Sequence, residues 1–599
     1  MLRIRYQVLL IATLVLAAFY PAMHSGYNIV DDLDLLKSFE DFQGWTFRGV
    51  FLPGSGEALY YRPLLYLTSV FDYTAWSLHS NVMHLENVLI HLCNSFFVYF
   101  LAREIISPDQ RTESWIPFVS ASLFGLHPIS VESVCWISGR TDLLAGFFLF
   151  PAALFAIRYK QNHRKKYLLC STVAAILAFL SKESSLGFVM GALFLGIART
   201  SVPSGATAPS RRRHILQGMV VFSAIAGGVA LFFVLRLKAF SSNGSGIYLT
   251  LQSMENNPLY SVMLVLRTFA FYLKKVFWPF PLNFAIVEVD PLYELAAIPL
   301  VLLTCWIALR RTIVSALFMT GVGLMAPAFL IAFGQVAWTP FAERYVYLSL
   351  GFILTGVVHV LGRHAEGFWT AAAPVDGKGA SGGTAPIARP AVGILVILVL
   401  LGAFGATMHR ASIWSSNLTL YEDVARKTPD FQTARNLYGV ALTREGRTRD
   451  ALREFDAARS LYAFRYEEKY DINYGVMLVS TGEYDKALAL FRSVVDKTKG
   501  KSVRAREGML SVYLKQLSDA PQGEKREQLS RSIRNVAAGM YTLNPEPDLL
   551  YFMGMASIAS GDRERAGLYF RTAHEKARQG SFVRELAAIK LRHLGTGGT

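Results

Sequence analysis

Tyr6-Gln7-Val8-Leu9-Leu10-Ile11-Ala12-Thr13-Leu14-Val15-Leu16-Ala17-Ala18-Phe19-Tyr20-Pro21-Ala22-Met23 is followed within a few residues by Asn28-Ile29-Val30-Asp31-Asp32. The first stretch has the length and apolarity of a membrane span. The second puts two adjacent carboxylates at the membrane edge, where each raises the other's pKa and the nearby low-dielectric core favours neither charge. That cost points to a chemical role, against the plainer reading of a solvated loop start. Arg3 and Arg5 ahead of the apolar run raise the alternative of a cleaved signal peptide. The run is long for a signal core and many apolar segments follow, so it reads as an uncleaved first span leaving the cytoplasm. Asp31 and Asp32 are then expected on the outer side.

Working outward, the composition agrees: 52% of the 599 residues are hydrophobic and only 17% are charged. The apolar runs fill residues 1–410, whereas 411–599 is charged, Ala-rich and helical in pattern. Two domains follow, a polytopic membrane part over 1–410 and a repeat domain over 411–599. The net charge of +16 does not point to nucleic acid, because the basic residues cluster beside apolar runs, as in Arg158-Tyr159-Lys160 and Arg211-Arg212-Arg213. Cys93, Cys135, Cys170 and Cys305 lie scattered in apolar segments without paired spacing and are expected to be inert core residues.

About eleven crossings are predicted, and the polar residues between them gather on one side. The aromatic-rich loop to about Ser80, with Tyr61-Arg62-Pro63, is expected to contain short interfacial helices. Span 2 carries His84, Asn87 and His91 on one helix face. Spans 3 and 4 flank His127-Pro128, Glu132 and Arg140-Thr141-Asp142. Their spacing is not that of a zinc site, and Arg140 with Asp142 admits a simple ion pair at a helix start. Ser181-Lys182-Glu183 closes a tight outer hairpin, as a structural ion pair or as part of an anion site. Residues 259–277 are apolar but contain Arg267, Lys274 and Lys275, and the positive-inside rule favours an interfacial position for them. Glu343-Arg344-Tyr345 returns to the outer side, and the Gly/Ala/Pro-rich break Ala371–Pro390 reads as a cytoplasmic linker. The odd count of spans leaves the C-terminal domain outside.

That domain repeats. Tyr438/Tyr474, Gly439/Gly475, Gly446/Gly482, Ala451/Ala487 and Phe455/Phe491 are each 36 residues apart. Gly554, Gly561, Ala566 and Phe570 repeat the internal spacing, and Ser502–Leu543 has room for one degenerate unit. Small and aromatic residues in this register are those that let paired helices of a tetratricopeptide unit pack closely. The fold class is therefore all-α: a polytopic helix bundle followed by a tetratricopeptide solenoid.

Carboxylates beside several cations on one membrane face are the parts needed to displace a phosphate leaving group. A carboxylate accepts the proton of an attacking hydroxyl, and guanidinium or ammonium groups hold the phosphate. The order Asp31-Asp32, Tyr61-Arg62-Pro63-Leu64, His84 to His91, His127-Pro128 with Glu132 to Asp142, Ser181-Lys182-Glu183, Glu343-Arg344-Tyr345 and then tetratricopeptide repeats resembles the transmembrane and tetratricopeptide repeat-containing protein O-mannosyltransferases. The likeness covers nearly the whole chain. It implies a membrane glycosyltransferase of the C superfamily, moving mannose with inversion from a polyprenyl-phosphate donor to a Ser or Thr hydroxyl of protein at the outer face. It further implies Asp31 or Asp32 as base, and Arg140, Lys182, Arg344 and Arg62 as phosphate ligands. His84, His91, His127, Glu132, Asp142, Glu183, Glu343 and Tyr345 support them. No metal ligand is assigned, although a divalent metal is compatible with such chemistry.

The implied partners are the bilayer, the lipid-linked sugar and an acceptor protein in the repeat groove. The short repeat array points to a bacterial relative, hence the inner membrane with the site and repeats periplasmic. Asn417-Leu418-Thr419 is a glycosylation sequon only in an endoplasmic-reticulum setting. Transfer to a lipid or polysaccharide, and a non-catalytic membrane-anchored scaffold, are the alternatives. A transporter is disfavoured because the ionisable residues lie at span ends rather than near the midplane.

Overall fold

Long apolar runs with few breakers must satisfy their backbone within the segment when they enter lipid, and helices do so. In the computed structural model, residues 2–39, 42, 44–53, 60–106, 114–199, 211–240, 245–334, 337–371, 385–461 and 468–595 are described. Among them every regular element is a helix, and β pairing is limited to the isolated bridges Arg199–Thr312 and Ile286–Phe341. The chain forms two compact units, Met1–Lys427 and Thr428–Thr599. Helix Asn417–Lys427, which the sequence places with the repeats, belongs to the first unit.

All eleven segments read as spans are helical in the first unit, but they differ in length. Seven helices among the described residues are long and apolar enough to cross a membrane: Ser80–Glu104, Ile137–Asn162, Ile215–Ala239, Leu292–Leu309, Ile313–Ile331, Glu343–Ala365 and Ala391–Trp414. The bent pair Ile116–Gly125 and Pro128–Cys135 would make an eighth. The shortfall from eleven has a local cause. The apolar helices Ile4–Ala18 and Glu183–Ile197 are shorter than a full crossing, as is the 15-residue helix Lys165–Phe179. Pro128 and the turn before it break the third span at His127.

The aromatic-rich loop holds the expected short helices, Asp32–Ser38, Phe47–Phe51 and Pro63–Trp76. Residues 259–277 form one helix, Pro258–Phe277, whose charged residues are paired: Arg267 with Glu294, and Lys275 with Glu343. Within the break Ala371–Pro390, residues 372–384 lie outside the described ones, and helix Ala385–Trp414 begins before its end. The cysteines are unpaired; Cys135 is buried, but Cys170 and Cys305 are exposed on the outside of their helices rather than in the core.

Close helix packing positions the site. A Cβ on Gly187 would run into the Gly323 backbone, so helices Phe188–Ile197 and Ile313–Ile331 meet main chain to main chain, as small residues allow in membranes. This fixes the hairpin that carries Lys182 and Glu183.

The second unit is a tetratricopeptide solenoid. Its helix pairs are Gln432–Arg444 with Thr448–Ser460, Glu468–Ser480 with Tyr484–Lys497, Val503–Asp519 with Glu524–Tyr541, and Pro547–Ala559 with Arg563–Lys576, followed by Phe582–Gly595. The 36-residue register has a steric cause. A Cβ on Gly439 would lie 2.7 Å from Phe455 Cε1, and one on Gly554 2.6 Å from Phe570 Cε1. Gly475 and Gly508 both face Phe491, so the degenerate unit borrows the ring of the unit before it.

Candidate functional site

The loop after the first helix turns its two aspartates in opposite directions. Asp31 has φ 67° and ψ −38°, a positive-φ turn uncommon for a side-chain-bearing residue, closed by the Asp32 N–H to the Val30 carbonyl at 2.9 Å. It stands just before helix Asp32–Ser38, its carbonyl accepts the Leu35 N–H at 3.0 Å, and its side chain is exposed. Asp32 is fully buried. Its Oδ2 accepts the Asn28 N–H at 2.9 Å, and its Oδ1 accepts the Ser138 N–H at 3.1 Å and the Ser138 hydroxyl at 2.6 Å. Burial raises its pKa to about 6, although those hydrogen bonds pull the other way; the charge of Asp31 adds to the rise.

Residues distant in sequence hold this loop. Asn417 donates to the Tyr27 carbonyl at 2.8 Å and accepts the Ile29 N–H at 3.2 Å. The Tyr421 hydroxyl donates to Asn28 Oδ1, and Trp136 Nε1 donates to the Val30 carbonyl at 3.3 Å. His84 Nε2 bonds the Gly26 carbonyl at 3.2 Å. Asn417, read in the sequence only as part of a sequon, is thus a brace for the acidic loop.

Three cations converge, each held by one carboxylate. Arg344 is bonded to Glu132 through both its backbone N–H, at 3.1 Å, and its guanidinium, with a further bond to the Tyr345 hydroxyl at 3.3 Å. The guanidinium lies 5.1 Å from the Trp136 ring centroid and 4.8 Å from that of Tyr345. Lys182 Nζ is 2.5 Å from Asp142 Oδ1, and 5.9 Å from the Tyr345 centroid. Arg62 Nε donates to Glu183 Oε2 at 2.8 Å, and its guanidinium stacks 4.1 Å from the Tyr60 centroid. The second Glu183 oxygen accepts the Tyr61 N–H at 2.8 Å. Lys182 and Glu183 therefore pair with other elements rather than with each other.

These groups sense one another. Burial pulls the Lys182 pKa down; Asp142 opposes this, while the charges of Arg62 and Arg344 push further down. Tyr60 carries the Arg62 guanidinium on its ring. Its pKa is raised, first by burial, and the fields of Arg62, Glu183, Arg344 and Asp31 all reach it. Tyr60 is nonetheless 42% exposed, so the Arg62 end of the site opens to solvent.

Arg140 is placed apart from these three cations. Its Nε donates to Asn87 at 2.8 Å, Nη1 to Asp72 at 2.5 Å, and Nη2 to both the Met83 carbonyl at 3.1 Å and Glu86 at 2.9 Å. It is buried, and four of its five N–H donors are spent on protein, so it ties helices Pro63–Trp76 and Ser80–Glu104 to the start of Arg140–Asn162. Nor does it pair with Asp142, which takes Lys182. Glu343 also faces away from the cations, accepting Lys275 Nζ at 2.8 Å and the Asn283 N–H at 2.9 Å.

His91 is fixed between the Tyr347 hydroxyl at 2.8 Å and the Gly125 carbonyl at 3.1 Å. His127 accepts the Ile129 N–H at 3.3 Å and bonds the Val276 carbonyl at 3.1 Å. Both are buried ties at helix breaks. No three His, Cys, Asp or Glu side chains among the described residues form a metal cradle.

The missed residues are Asn28, Tyr60, Asp72, Trp136, Ser138, Lys275, Asn417 and Tyr421. Asp72 carries a sequence signal that could have marked it, as a lone acid in an apolar aromatic helix.

Fold and site together define a polytopic membrane protein with a tetratricopeptide array and a cation-lined acidic site at the ends of its helices. In sequence the chain is similar to proteins named as protein O-mannosyl-transferases. It is 27% identical over 159 residues to Protein O-mannosyl-transferase Tmtc1 of Drosophila melanogaster, covering 26% of this chain and 18% of that one. It is 27% identical over 200 residues to Protein O-mannosyl-transferase TMTC3 of Mus musculus, covering 32% and 21%. With Protein O-mannosyl-transferase TMTC4 of Homo sapiens it shares 25% over 188 residues, covering 27% and 25%. The chain thus spans about a fifth to a quarter of the length of these relatives. No family model matches. Among solved structures, the tetratricopeptide repeat protein YrrB aligns with TM-score 0.24 and 17% identity over 33% of this chain and 90% of that one.

Proposed function

We propose that the chain is a membrane glycosyltransferase that moves mannose from a polyprenyl-phosphate donor to a Ser or Thr hydroxyl of protein, with inversion, at the extracytoplasmic face. The observation that carries this reading is the gathering of Arg344 and Lys182 around the Tyr345 ring, 4.8 and 5.9 Å from its centroid, with Arg62 stacked on the half-exposed Tyr60. Each cation keeps N–H donors beyond those it gives its carboxylate, as a phosphate ligand must.

Asp31 is the base in this scheme. It takes the proton of the acceptor hydroxyl as that oxygen bonds to the anomeric carbon from the side opposite the phosphate. The carbon–oxygen bond to phosphate breaks, and its electron pair leaves with the phosphate, held by Arg344, Lys182 and Arg62. Asp32 is closed off by Ser138 and Asn28 and positions the loop. Arg140 positions the surrounding helices and contacts no donor. The tetratricopeptide groove engages the acceptor polypeptide. An array of four helix pairs also suits a lipid or polysaccharide acceptor, which needs no long peptide groove.

The test is an in vitro assay in lipid with radiolabelled polyprenyl-phosphate mannose, wild type beside Asp31→Asn, with label separated into protein, lipid and water. Label in protein that Asp31→Asn abolishes is expected. Label in lipid alone replaces the acceptor. No transfer by wild type from any lipid-phosphate sugar returns the chain to a scaffold role.

A further inference from the structure

Three helices lead away from the acidic site. Helix Phe188–Ile197 starts beside Lys182 and ends near Arg199, and Ile313–Ile331 runs between Thr312 and the segment leading to Glu343. Tyr347–Ala371 starts just after Arg344, so its residues around Val360 lie about 20 Å further along. At that far end Arg199 forms a β-bridge with Thr312, and its N–H donates to the Arg311 carbonyl at 2.8 Å. Arg199, Arg310 and Arg311 therefore gather at the N-terminus of helix Ile313–Ile331, whose dipole adds positive charge. None of the three has a carboxylate partner among the described residues. The Arg310 guanidinium instead lies 4.1 Å from the centroid of Trp306, an exposed aromatic of the kind found at membrane interfaces.

A cavity of about 870 Å³ adjoins this cluster and includes Arg199 and Arg310 in its wall. The rest of the wall is mainly apolar, with Leu300, Leu303, Phe318, Val357, Val360 and Leu361, and it runs between helices Leu292–Leu309, Ile313–Ile331 and Tyr347–Ala371. His359 also lines it, and its Nδ1 is buried without a hydrogen-bond partner among the described residues. An apolar slot with unneutralised guanidinium groups at one end complements an amphiphile with an anionic head.

We propose that this groove binds one anionic phospholipid of the adjoining leaflet, its acyl chain along Leu303 and Val360 and its phosphate on Arg199 and Arg310. The same membrane end carries Arg158, Lys160, Lys165 and Lys166, so the positive-inside rule makes it the cytoplasmic leaflet. Lys274 also lines the wall, beside Lys275, which pairs with Glu343, so it is the Arg199 and Arg310 end of the groove that lies across the membrane from Arg344 and Lys182.

The experiment uses the full chain in nanodiscs with a photoactivatable phosphatidylglycerol, mapping the label by peptide mass spectrometry. Label is expected in the peptides spanning Leu292–Ile331, with Arg199→Gln/Arg310→Gln reducing apparent affinity about thirtyfold, the factor for two cations near an anionic lipid surface. Leu303→Trp keeps both arginines but fills the slot, and it is expected to lose the label while unfolding at the wild-type temperature. Equal labelling by phosphatidylcholine overturns the proposal, as do variants that label like wild type. Displacement by polyprenyl phosphate at the phosphatidylglycerol concentration would assign the groove to the carrier lipid and overturn it as well.

Discussion

Replacing Arg140 with methionine removes a guanidinium that holds Asp72, Glu86, Asn87 and the Met83 carbonyl at once. Asp72 is fully buried, and its Oδ1 has no hydrogen-bond partner among the described residues, so the substitution strands a carboxylate inside the bundle. Breaking such a buried pair costs about 3–5 kcal/mol. Glu86 contributes little to that figure, because its side chain is 22% exposed and water screens it. Arg140→Lys should recover less than half, since one ammonium cannot reach acceptors on four residues. In Arg140→Met/Asp72→Asn most of the loss should return, giving a coupling of at least about 1.5 kcal/mol. Unfolding of the full chain in nanodiscs measures stability, and transfer is measured in parallel well below the transition. If Arg140→Met unfolded within about 1 kcal/mol of wild type while transfer disappeared, the guanidinium would be contacting the donor, and its assignment as a structural tie would be refuted.

Asp31→Asn should lower transfer about 10²–10⁴-fold, the range for loss of a general base, because the amide keeps the size of the side chain but cannot take the proton. Asp32→Asn should cost about 1–3 kcal/mol in stability, since an amide cannot accept from Asn28 and Ser138 as a carboxylate does. Asp32 also sets a pH dependence. Its pKa rises from 3.8 unfolded to about 6 folded, so the unfolded chain binds fewer protons between those values. Stability should therefore fall by about 3 kcal/mol as pH rises through that window and level off above it. Asp32→Asn should lack this slope in pH-dependent unfolding. Gly475→Ala should cost about 1–3 kcal/mol by driving a methyl into Phe491. Limited proteolysis of the full chain should then cut residues 428–599 faster while leaving the membrane unit's cleavage rate unchanged.

Periodicity and length made the helical bundle and the repeats legible. The glycine–phenylalanine register over Gly439/Phe455, Gly475/Phe491 and Gly554/Phe570 is a local steric requirement, and it repeats because the packing repeats. The polar motifs at helix ends were legible as well, because charge beside lipid is costly and stands out against apolar runs. Which partner each charge takes was not. Arg140 lies two residues from Asp142 in sequence, yet it pairs with Asp72 and Glu86 while Asp142 takes Lys182. Where a segment bends was not legible either: Ile116–Gly125 and Pro128–Cys135 meet at 43°.

The amino-acid sequence by itself determined the all-helical class, the division into a membrane part and a repeat array, and the residue types available for phosphate chemistry. Hydrophobic length and spacing depend on neighbours along the chain, so they can be read from it. The tertiary structure alone decided that Asp31 faces outward while Asp32 is buried, and that Asn417 braces their loop from 388 residues beyond Ile29. Hydrogen bonds and ion pairs are short-ranged, and only folding brings such distant groups within their reach.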